Sequence, residues 1–575
     1  MAASDYWSRT VVPSGLGRRA FMRSTAVAGL GAVAFLAGCR GADRTETTTG
    51  GSTATGQASQ IFVVPEARRG GVMHSVGQDP TLGWDPHSTI SYLMGNVVEP
   101  MSIKLVRHDY RKNWKSGAEE SIIGELAEKW EHPDPLTYNF TLRKGVNWPG
   151  QDPMNGRAIN AQDVAYTMAH AKRPESLVQE WVFNNIKSAT AIDTNTVQFK
   201  LNYPHWRWAM DLDSYNTMIL PEGIYEWAGT GGLKDPAKAR GGGPWLVEEY
   251  RAHSVIRYIP NEAYRKVFGV PYMDRLNVLM LANGAPRLQA FVAKNIDIYG
   301  PSAGELETVQ NGRPDAKYVL DKFAPTRTQA LFFKTTEAPW NDVRVRRALS
   351  MAVDRDGWGK TLRYPVKWES GPITWGYPSW KLDPVKMPAD VSQWLQLNVA
   401  EGRKLIDAAG VSADTVFELH MYPYNNSYTP EAQFLMESMS KVGVTAKLKV
   451  YEYNNWLTNA YIGNYSGLLY GPDNLDRVTQ QLADRLLATS SRNHSDVKDA
   501  ETQKLIGDFA SAKGPEDAKP IVDKIQTRSV DQAFAVYSPQ PTSPTFWEPT
   551  LQNYDGESPI SYHAQGYRDA FYWKE

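Results

Sequence analysis

Cys39 is the only thiol in 575 residues, which excludes an internal disulfide and any cysteine-rich metal site. The ten histidines are scattered, with no HExxH pattern and no close pair at helical spacing. They read as surface or hydrogen-bonded residues, and no metal is expected. Gly359-Lys360-Thr361 has the ending of a phosphate-binding loop, but Asp354 stands where the loop needs its first glycine, and a helical pattern precedes it. Gly463-Asn464-Tyr465-Ser466-Gly467 fails as a nucleophile elbow because its serine is misplaced. With 63 acidic residues, chance neighbours abound and no glycosidase pair stands out. No catalytic residue and no cofactor is expected. A formal net charge of -1 provides no basic field for nucleic acid. Aromatics reach 11%, with 19 Trp and 29 Tyr. Such residues fill cores, and they also line clefts that bind solutes.

The neighbours of Cys39 decide what its thiol does. Leu36-Ala37-Gly38-Cys39 resembles a bacterial lipobox, in which the thiol is joined to diacylglycerol and the cysteine becomes the new N-terminus. Arg18 and Arg19 open a twin-arginine pattern, and an apolar run from Ala26 to Gly38 follows. That run is too short and too glycine-rich for a comfortable membrane span and suits a signal segment. The alternative is an ordinary buried cysteine in an apolar helix. The order of the three features favours export after folding, with lipidation at Cys39. Two acyl chains anchor stably, at roughly 0.8 kcal/mol per buried CH₂. Residues 40–67 form a Thr-, Gly- and Ser-rich tether that cannot bury enough apolar surface to order itself. Its r.m.s. reach is about 30 Å. The expected location is the outer face of the cytoplasmic membrane, facing the periplasm or the cell surface.

The remaining length suggests two to four domains. Thr137 to Leu142 and Thr196 to Leu201 alternate in polarity, as strands with one buried face do; Ser254 to Ile259 and Ala446 to Tyr451 also read as strands. Asn160 with Asp163 predicts a helix start through Val164, Met168 and Ala171. Asp342 predicts a cap for a helix from Val343 to Asp354. Asn398 with Glu401 predicts another start, stopped at Gly410. Thr429-Pro430-Glu431 opens a helix that Gly443 ends. Residues 415–451 therefore read as a βαβ unit, so this part is α/β.

Several blocks in order resemble solute-binding protein family 5, the oligopeptide, dipeptide and nickel receptors of bacteria. Asp79-Pro80 to Asp85-Pro86-His87 is similar to the family's "DP…LDPH" segment. Thr137-Tyr138 through Leu142-Arg143-Lys144-Gly145-Val146-Asn147-Trp148 is close to its "TYTFxLRKGVKF" signature. Asn341-Asp342-Val343-Arg344-Val345-Arg346-Arg347-Ala348-Leu349 resembles "DDVRVRQAL". Gly243-Pro244-Trp245 and Gly371-Pro372 to Gly376-Tyr377-Pro378 also match. Phe332-Phe333-Lys334-Thr335-Thr336 departs from "FNTT", with lysine in place of asparagine.

The resemblance implies an α/β, type 2 periplasmic-binding fold: two lobes that close over solute about a hinge, plus an extra inserted domain. The signal and the tether, read from the residues themselves, occupy 1–39 and 40–67. The first lobe falls at 68–105, 218–325 and 545–575, the extra domain at 106–217 and the second lobe at 326–544. It implies a monomeric, non-enzymatic receptor that hands a peptide-like solute to the permease of an ABC importer. An oligosaccharide receptor of the same family, a secreted hydrolase and a sensory or chaperone-like receptor on the same scaffold are the alternatives. By position, Asp473 in Leu469-Tyr470-Gly471-Pro472-Asp473 corresponds to the aspartate that meets a peptide's ammonium in this family. It also reads as a turn or cap residue. Trp245, Trp375 and Tyr377 stand in turns at strand ends, where aromatics line a cleft or pack. Tyr92 and Tyr470 are weaker candidates of the same kind.

Overall fold

The structure is a computed structural model in which the chain divides into two units, Met1–Ser52 and Thr53–Glu575. It describes residues 66–575 apart from 78, 81–82, 89–90, 92, 109–121, 174–175, 177–180, 231, 321–327, 363–365, 368–370, 425–427, 474–476, 542–543, 555 and 557–568. Arg18, Arg19, Cys39, nearly all of the tether and Tyr92 lie outside the described residues.

A four-stranded sheet holds Val72–Gly77, Arg275–Met280, Val255–Pro260 and Trp245–Arg251, in that spatial order. Val72–Gly77 runs parallel to Arg275–Met280, while the other neighbours are antiparallel. A parallel pair needs a crossover connection. Here the crossover contains another sheet. That sheet is antiparallel, in the order Ala127–Asp134, Thr137–Leu142, Thr196–Leu201 and Ile186–Asp193. Tyr138, Phe140 and Leu142 point into its core, whereas Asn139 and Thr141 are part-exposed. The polarity alternation thus settles which face packs. Helix Ala161–Ala171 lays Val164, Met168 and Ala171 on the same cluster. Its start is a capping box: the Asn160 side chain accepts from the Asp163 backbone N–H, and the Asp163 carboxylate accepts from the Asn160 backbone N–H.

A five-stranded sheet follows, ordered Thr445–Val450, Val416–Met421, Leu468–Asp473, Thr328–Phe333 and Ala535–Tyr537. The first three are mutually parallel in sequence of pairing, and Thr328–Phe333 runs antiparallel to its neighbours. Val416–Met421, helix Tyr428–Lys441 and Thr445–Val450 form the expected βαβ unit. Helices Val343–Ala352, Val399–Ala409 and Tyr428–Lys441 cover one face, burying Leu349, Ile406 and Leu435 against Leu419 and Leu468. Each such aliphatic side chain contributes about 1.5–3 kcal/mol. Trp456, Tyr461 and Tyr465 cover the other face over Ala330, Phe332 and Leu469. Near its end the chain returns to the first body. Thr545–Trp547 pairs with Ile298–Tyr299 and Lys317–Val319, and Trp547, Leu551 and Tyr572 join the cluster around Met73 and Leu276.

One helix ends earlier than its pattern predicts. Val343–Ala352 stops because Val353 is extended. Asp354 then accepts from the Gly357 N–H at 2.8 Å and starts Arg355–Leu362, so Gly359-Lys360-Thr361 lies within a helix. Among the described residues, no helix is long and apolar enough to cross a membrane.

Candidate functional site

Val416–Met421 and Leu468–Asp473 run parallel, the first ending level with Tyr470 and the second running on to Asp473, and helix Val478–Leu486 follows the second. In open α/β sheets, ligands bind beyond the C-terminal ends of such strands. Asp473 is the last residue of its strand, its backbone in register with Thr328, and its side chain lies outside the described residues. All nine residues of Val478–Leu486 are buried. Val478, Leu482, Ala483 and Leu486 pack with Ile373, Tyr377, Trp380 and Phe509. Its polar residues are covered as well: Gln480, Gln481, Asp484 and Arg485, with Arg477 just ahead of them. Burying such groups is costly unless they are paired.

Arg477, Gln481 and Arg485 find partners in distant segments. The Gln481 side-chain oxygen accepts from the Thr374 N–H at 2.9 Å. Arg485 donates to the Pro372 carbonyl and lies 5.6 Å from the Tyr537 ring centre. Arg492 Nε stands 3.9 Å from the Asp484 carboxylate. Arg477 Nη1 donates to the Met210 carbonyl at 3.2 Å and lies 4.0 Å from Asp211 Oδ1.

Met210 and Asp211 belong to a segment that leaves the four-stranded antiparallel sheet and crosses to this helix. The Trp206 N–H donates to the Ala510 carbonyl at 3.1 Å. Its ring lies 6.3 Å from Trp380 and 6.2 Å from Phe509. The Arg207 guanidinium sits 5.3 Å from Trp206 and 5.5 Å from Trp380. His205, Arg207 and Asp211 are all buried. Burial pushes the Arg207 guanidinium down to about 10, with Asp211 opposing. Burial also lowers His205, again against Asp211, and raises the Tyr377 hydroxyl despite Arg477 and Arg207 beside it. The result is a buried set of guanidinium, carboxylate and amide groups close to the strand ends. Among the described residues, no cluster suits a metal ion.

A second crossing joins the other edges of the same bodies. Ser91 Oγ and the Tyr453 hydroxyl are 2.6 Å apart, and Asn283 Nδ2 donates to the Tyr424 carbonyl at 2.6 Å. Tyr422, Tyr424, Tyr428, Tyr453 and Trp456 form one aromatic cluster there.

The aromatic candidates separate. Tyr377 is buried with Trp380 and Leu482, beside Arg477 and Arg207. Trp375 is half-buried in the same turn, with Lys381 Nζ 5.5 Å from its ring centre. Trp245 is fully buried among Met101, Tyr258 and Leu276. Tyr470 is fully buried against helix Tyr428–Lys441, and its hydroxyl donates to Glu431 at 2.6 Å. Burial and that carboxylate hold the phenol well above its usual range. These last two are placements of core residues. Sequence reasoning missed Arg477, Gln480, Gln481, Asp484, Arg485, Arg207 and Asp211. In sequence, Gln480, Gln481, Asp484 and Arg485 read as the solvated face of an amphipathic helix. No local signal says that this face is covered.

A family model described as bacterial extracellular solute-binding proteins, family 5 Middle, matches residues 121–478. The dipeptide-binding protein of Escherichia coli (strain K12) is 28% identical over 405 residues, covering 66% of this chain and 72% of its own. The oligopeptide-binding protein AppA from Bacillus subtilis, solved with a nonapeptide, matches with a TM-score of 0.73 at 18% identity, over 89% of this chain and 100% of its own. AgaA from A.tumefacien R10, solved with agropinic acid, matches with a TM-score of 0.74 at 18% identity, over 88% and 99%. The fold is the type 2 periplasmic-binding architecture.

Proposed function

We propose that this chain, which belongs to the bacterial extracellular solute-binding proteins of family 5, captures a peptide-like solute between two lobes and delivers it to the permease of an ABC importer. One observation carries the reading. Arg477, Gln481 and Arg485 are buried against segments far away in the chain, beside the C-terminal ends of parallel strands. The relative named for dipeptides supports the solute class. The first lobe comprises 68–105, 218–325 and 545–575, the second 326–544, and the extra domain 106–217. The sheet memberships support this division, since the strands within each proposed part pair with one another. Binding needs no cofactor and leaves the solute chemically unchanged. The receptor acts as a monomer.

Asp473 is the proposed partner of the solute's ammonium. A buried cation needs a counter-charge; Asp473 is the last residue of Leu468–Asp473, and ligands of open α/β sheets bind beyond such strand ends. Trp375 and Tyr377 are proposed as cleft aromatics. Mild purification followed by native mass spectrometry identifies the retained solute, and calorimetry then compares the wild type with Asp473→Ala. Removing one partner of a desolvated ion pair costs about 2–5 kcal/mol, so an amine solute should bind about thirtyfold more weakly or worse. Unchanged affinity for an amine would show that the ammonium site lies elsewhere. A retained neutral oligosaccharide would replace the peptide reading, and turnover of the solute would replace the receptor reading with a hydrolase.

Export and anchoring belong to the same proposal: Arg18 and Arg19 address the folded chain to the twin-arginine route, and Cys39 carries the lipid at the outer face of the cytoplasmic membrane. Cys39→Ala should abolish lipidation and leave unprocessed precursor on an immunoblot. Mature lipoprotein in that variant would sink the assignment.

A further inference from the structure

Two tryptophans close in sequence face opposite ways. Trp208 is fully buried in the core of its own antiparallel sheet, 5.0 Å from the Tyr138 and Phe199 rings, and its indole N–H donates to the Val182 carbonyl at 3.0 Å. Trp206 is half-buried and packs on the cluster of Trp380, Phe509 and Ala510, which belongs to the proposed second lobe. The mount that carries it is stiff. The buried Asn185 accepts from the Tyr203 N–H at 3.0 Å and donates to the Tyr203 carbonyl at 3.1 Å, and the Tyr138 hydroxyl donates to the His205 carbonyl at 3.3 Å. That body is in turn tied to the first one, because Lys104, Arg107, Glu99 and Asp213 are buried together as ion pairs. Trp206 therefore moves with the proposed first lobe and touches the second.

The contact has the make-up of one that opens. The Trp206 N–H meets the Ala510 carbonyl at 3.1 Å, a last-turn carbonyl that its own helix, Ala500–Ala510, leaves without a donor. The Arg207 guanidinium lies 5.3 Å from the Trp206 ring and 5.5 Å from that of Trp380, so a cation is shared between rings of the two bodies. Among the described residues, the buried Trp206 Nε1 has no hydrogen-bond partner, and neither do the two Asp211 oxygens, which lie 3.5 Å from His205 Nε2 and 4.0 Å from Arg477 Nη1. Such groups regain water when the surfaces part, which offsets the apolar contact then lost. The Lys104 pairs at 2.8 Å have no such compensation and stay shut.

We infer that Trp206, carried on the extra domain, is a positioning residue for solute capture: it docks on Trp380 and Phe509 as the lobes close and supplies closing free energy that the solute does not. This deepens the proposed capture function and rests on its lobe closure. A contact made without the solute shifts the open–closed balance by the same factor whatever is bound, so it raises the affinity of every solute alike.

The test compares the purified wild-type protein with Trp206→Ala by small-angle scattering without solute and by calorimetry with Ala-Ala and Ala-Ala-Ala. Trp206→Ala should have the larger radius of gyration and should bind both peptides about tenfold more weakly, by one common factor. Trp206→Phe keeps a ring on Trp380 and should restore most of both. Trp206→Leu keeps apolar bulk without the stacked ring; it serves if the alanine variant does not fold, with shifts of the same sign. A merely structural Trp206 would lower the unfolding midpoint and leave the radius and both affinities unchanged, which overturns the assignment. Unequal losses for the two peptides overturn it as well, since they place Trp206 against the solute. If the wild type binds neither peptide, the peptide reading fails and the scattering alone decides: a larger radius in Trp206→Ala upholds the docking contact, and an unchanged radius overturns it.

Discussion

His494 lies between the rings of Phe332, at 5.0 Å, and Tyr461, at 4.2 Å. Burial, reinforced by the nearby Arg492, pushes its imidazole down to about 3. The unfolded chain has an ordinary histidine, near ~6.5. Between those values the unfolded state binds a proton that the folded state refuses, so stability rises with pH across that window and is lost as the medium is acidified below the unfolded value. This group should remove about 2 kcal/mol of stability between about pH 7 and about pH 5. His494→Leu should flatten that part of the profile, measured by denaturant midpoints at the two conditions. An identical acid slope in the variant would show that His494 is not the group responsible. At this scale, the sequence nominated Asp473 through its place in a motif. It left His494 and Arg477 silent, because a side chain's solvation is not written in its neighbours along the chain.

Element starts were the most legible features, since caps are local. Asn160, Asp342 and Asn398 each cap the predicted helix, and Gly410 ends the last of these with φ 72°. Asp163 does more than its capping-box role announces. Fully buried, it accepts from Trp148 Nε1 at 3.1 Å, Arg157 Nη1 at 2.8 Å and the Glu222 N–H at 2.8 Å, besides the Asn160 N–H. Asn160→Ala should cost about 1 kcal/mol, the usual loss of a cap. Asp163→Ala should cost about 3 kcal/mol or more, because buried donors lose their partner together. Thermal unfolding of the two variants separates them, and equal losses would show that Asp163 is only a cap. The helix boundary at Ala352 was less legible. Val353 and Asp354 continue the polarity pattern, but the second helix start at Asp354 competes for the same residues.

At the scale of the whole molecule, a buried ionic network ties the antiparallel sheet's body to the first. Lys104 Nζ reaches Glu99 and Asp213, each at 2.8 Å, and Arg107 Nε reaches Glu125 at 2.7 Å. Burial raises the Glu99 and Glu125 carboxyls, while Lys104 and His108 hold Asp213 well below the usual range against its own burial. A network this enclosed tolerates little relative motion, since breaking one buried pair costs about 3–5 kcal/mol. Bending is expected between the proposed lobes, which among the described residues meet at Ser91–Tyr453 and Asn283–Tyr424 and, through the extra domain, where Trp206 and Arg207 pack on Trp380 and Phe509. Small-angle scattering should show compaction on ligand binding. The ligand should also stabilise the fold by about 2.7 kcal/mol at a hundredfold excess over Kd. Tight binding with an unchanged radius of gyration would refute closure.

The predicted strands and helices, the βαβ unit and the family resemblance could be read along the chain, because periodicity, caps and ordered motifs are properties of neighbouring residues. The Thr137–Leu142 alternation could be read directly as a packed sheet face. What stands across from each polar face emerges only from the folded chain. Trp245 and Tyr470 are core residues, and the polar side of Val478–Leu486 is buried under distant segments. The reason is distance along the chain: Arg477 and Met210 are 267 positions apart and meet at 3.2 Å. Periodicity reports that a face is polar, but whether water or a distant segment covers it is settled only when the whole chain has folded.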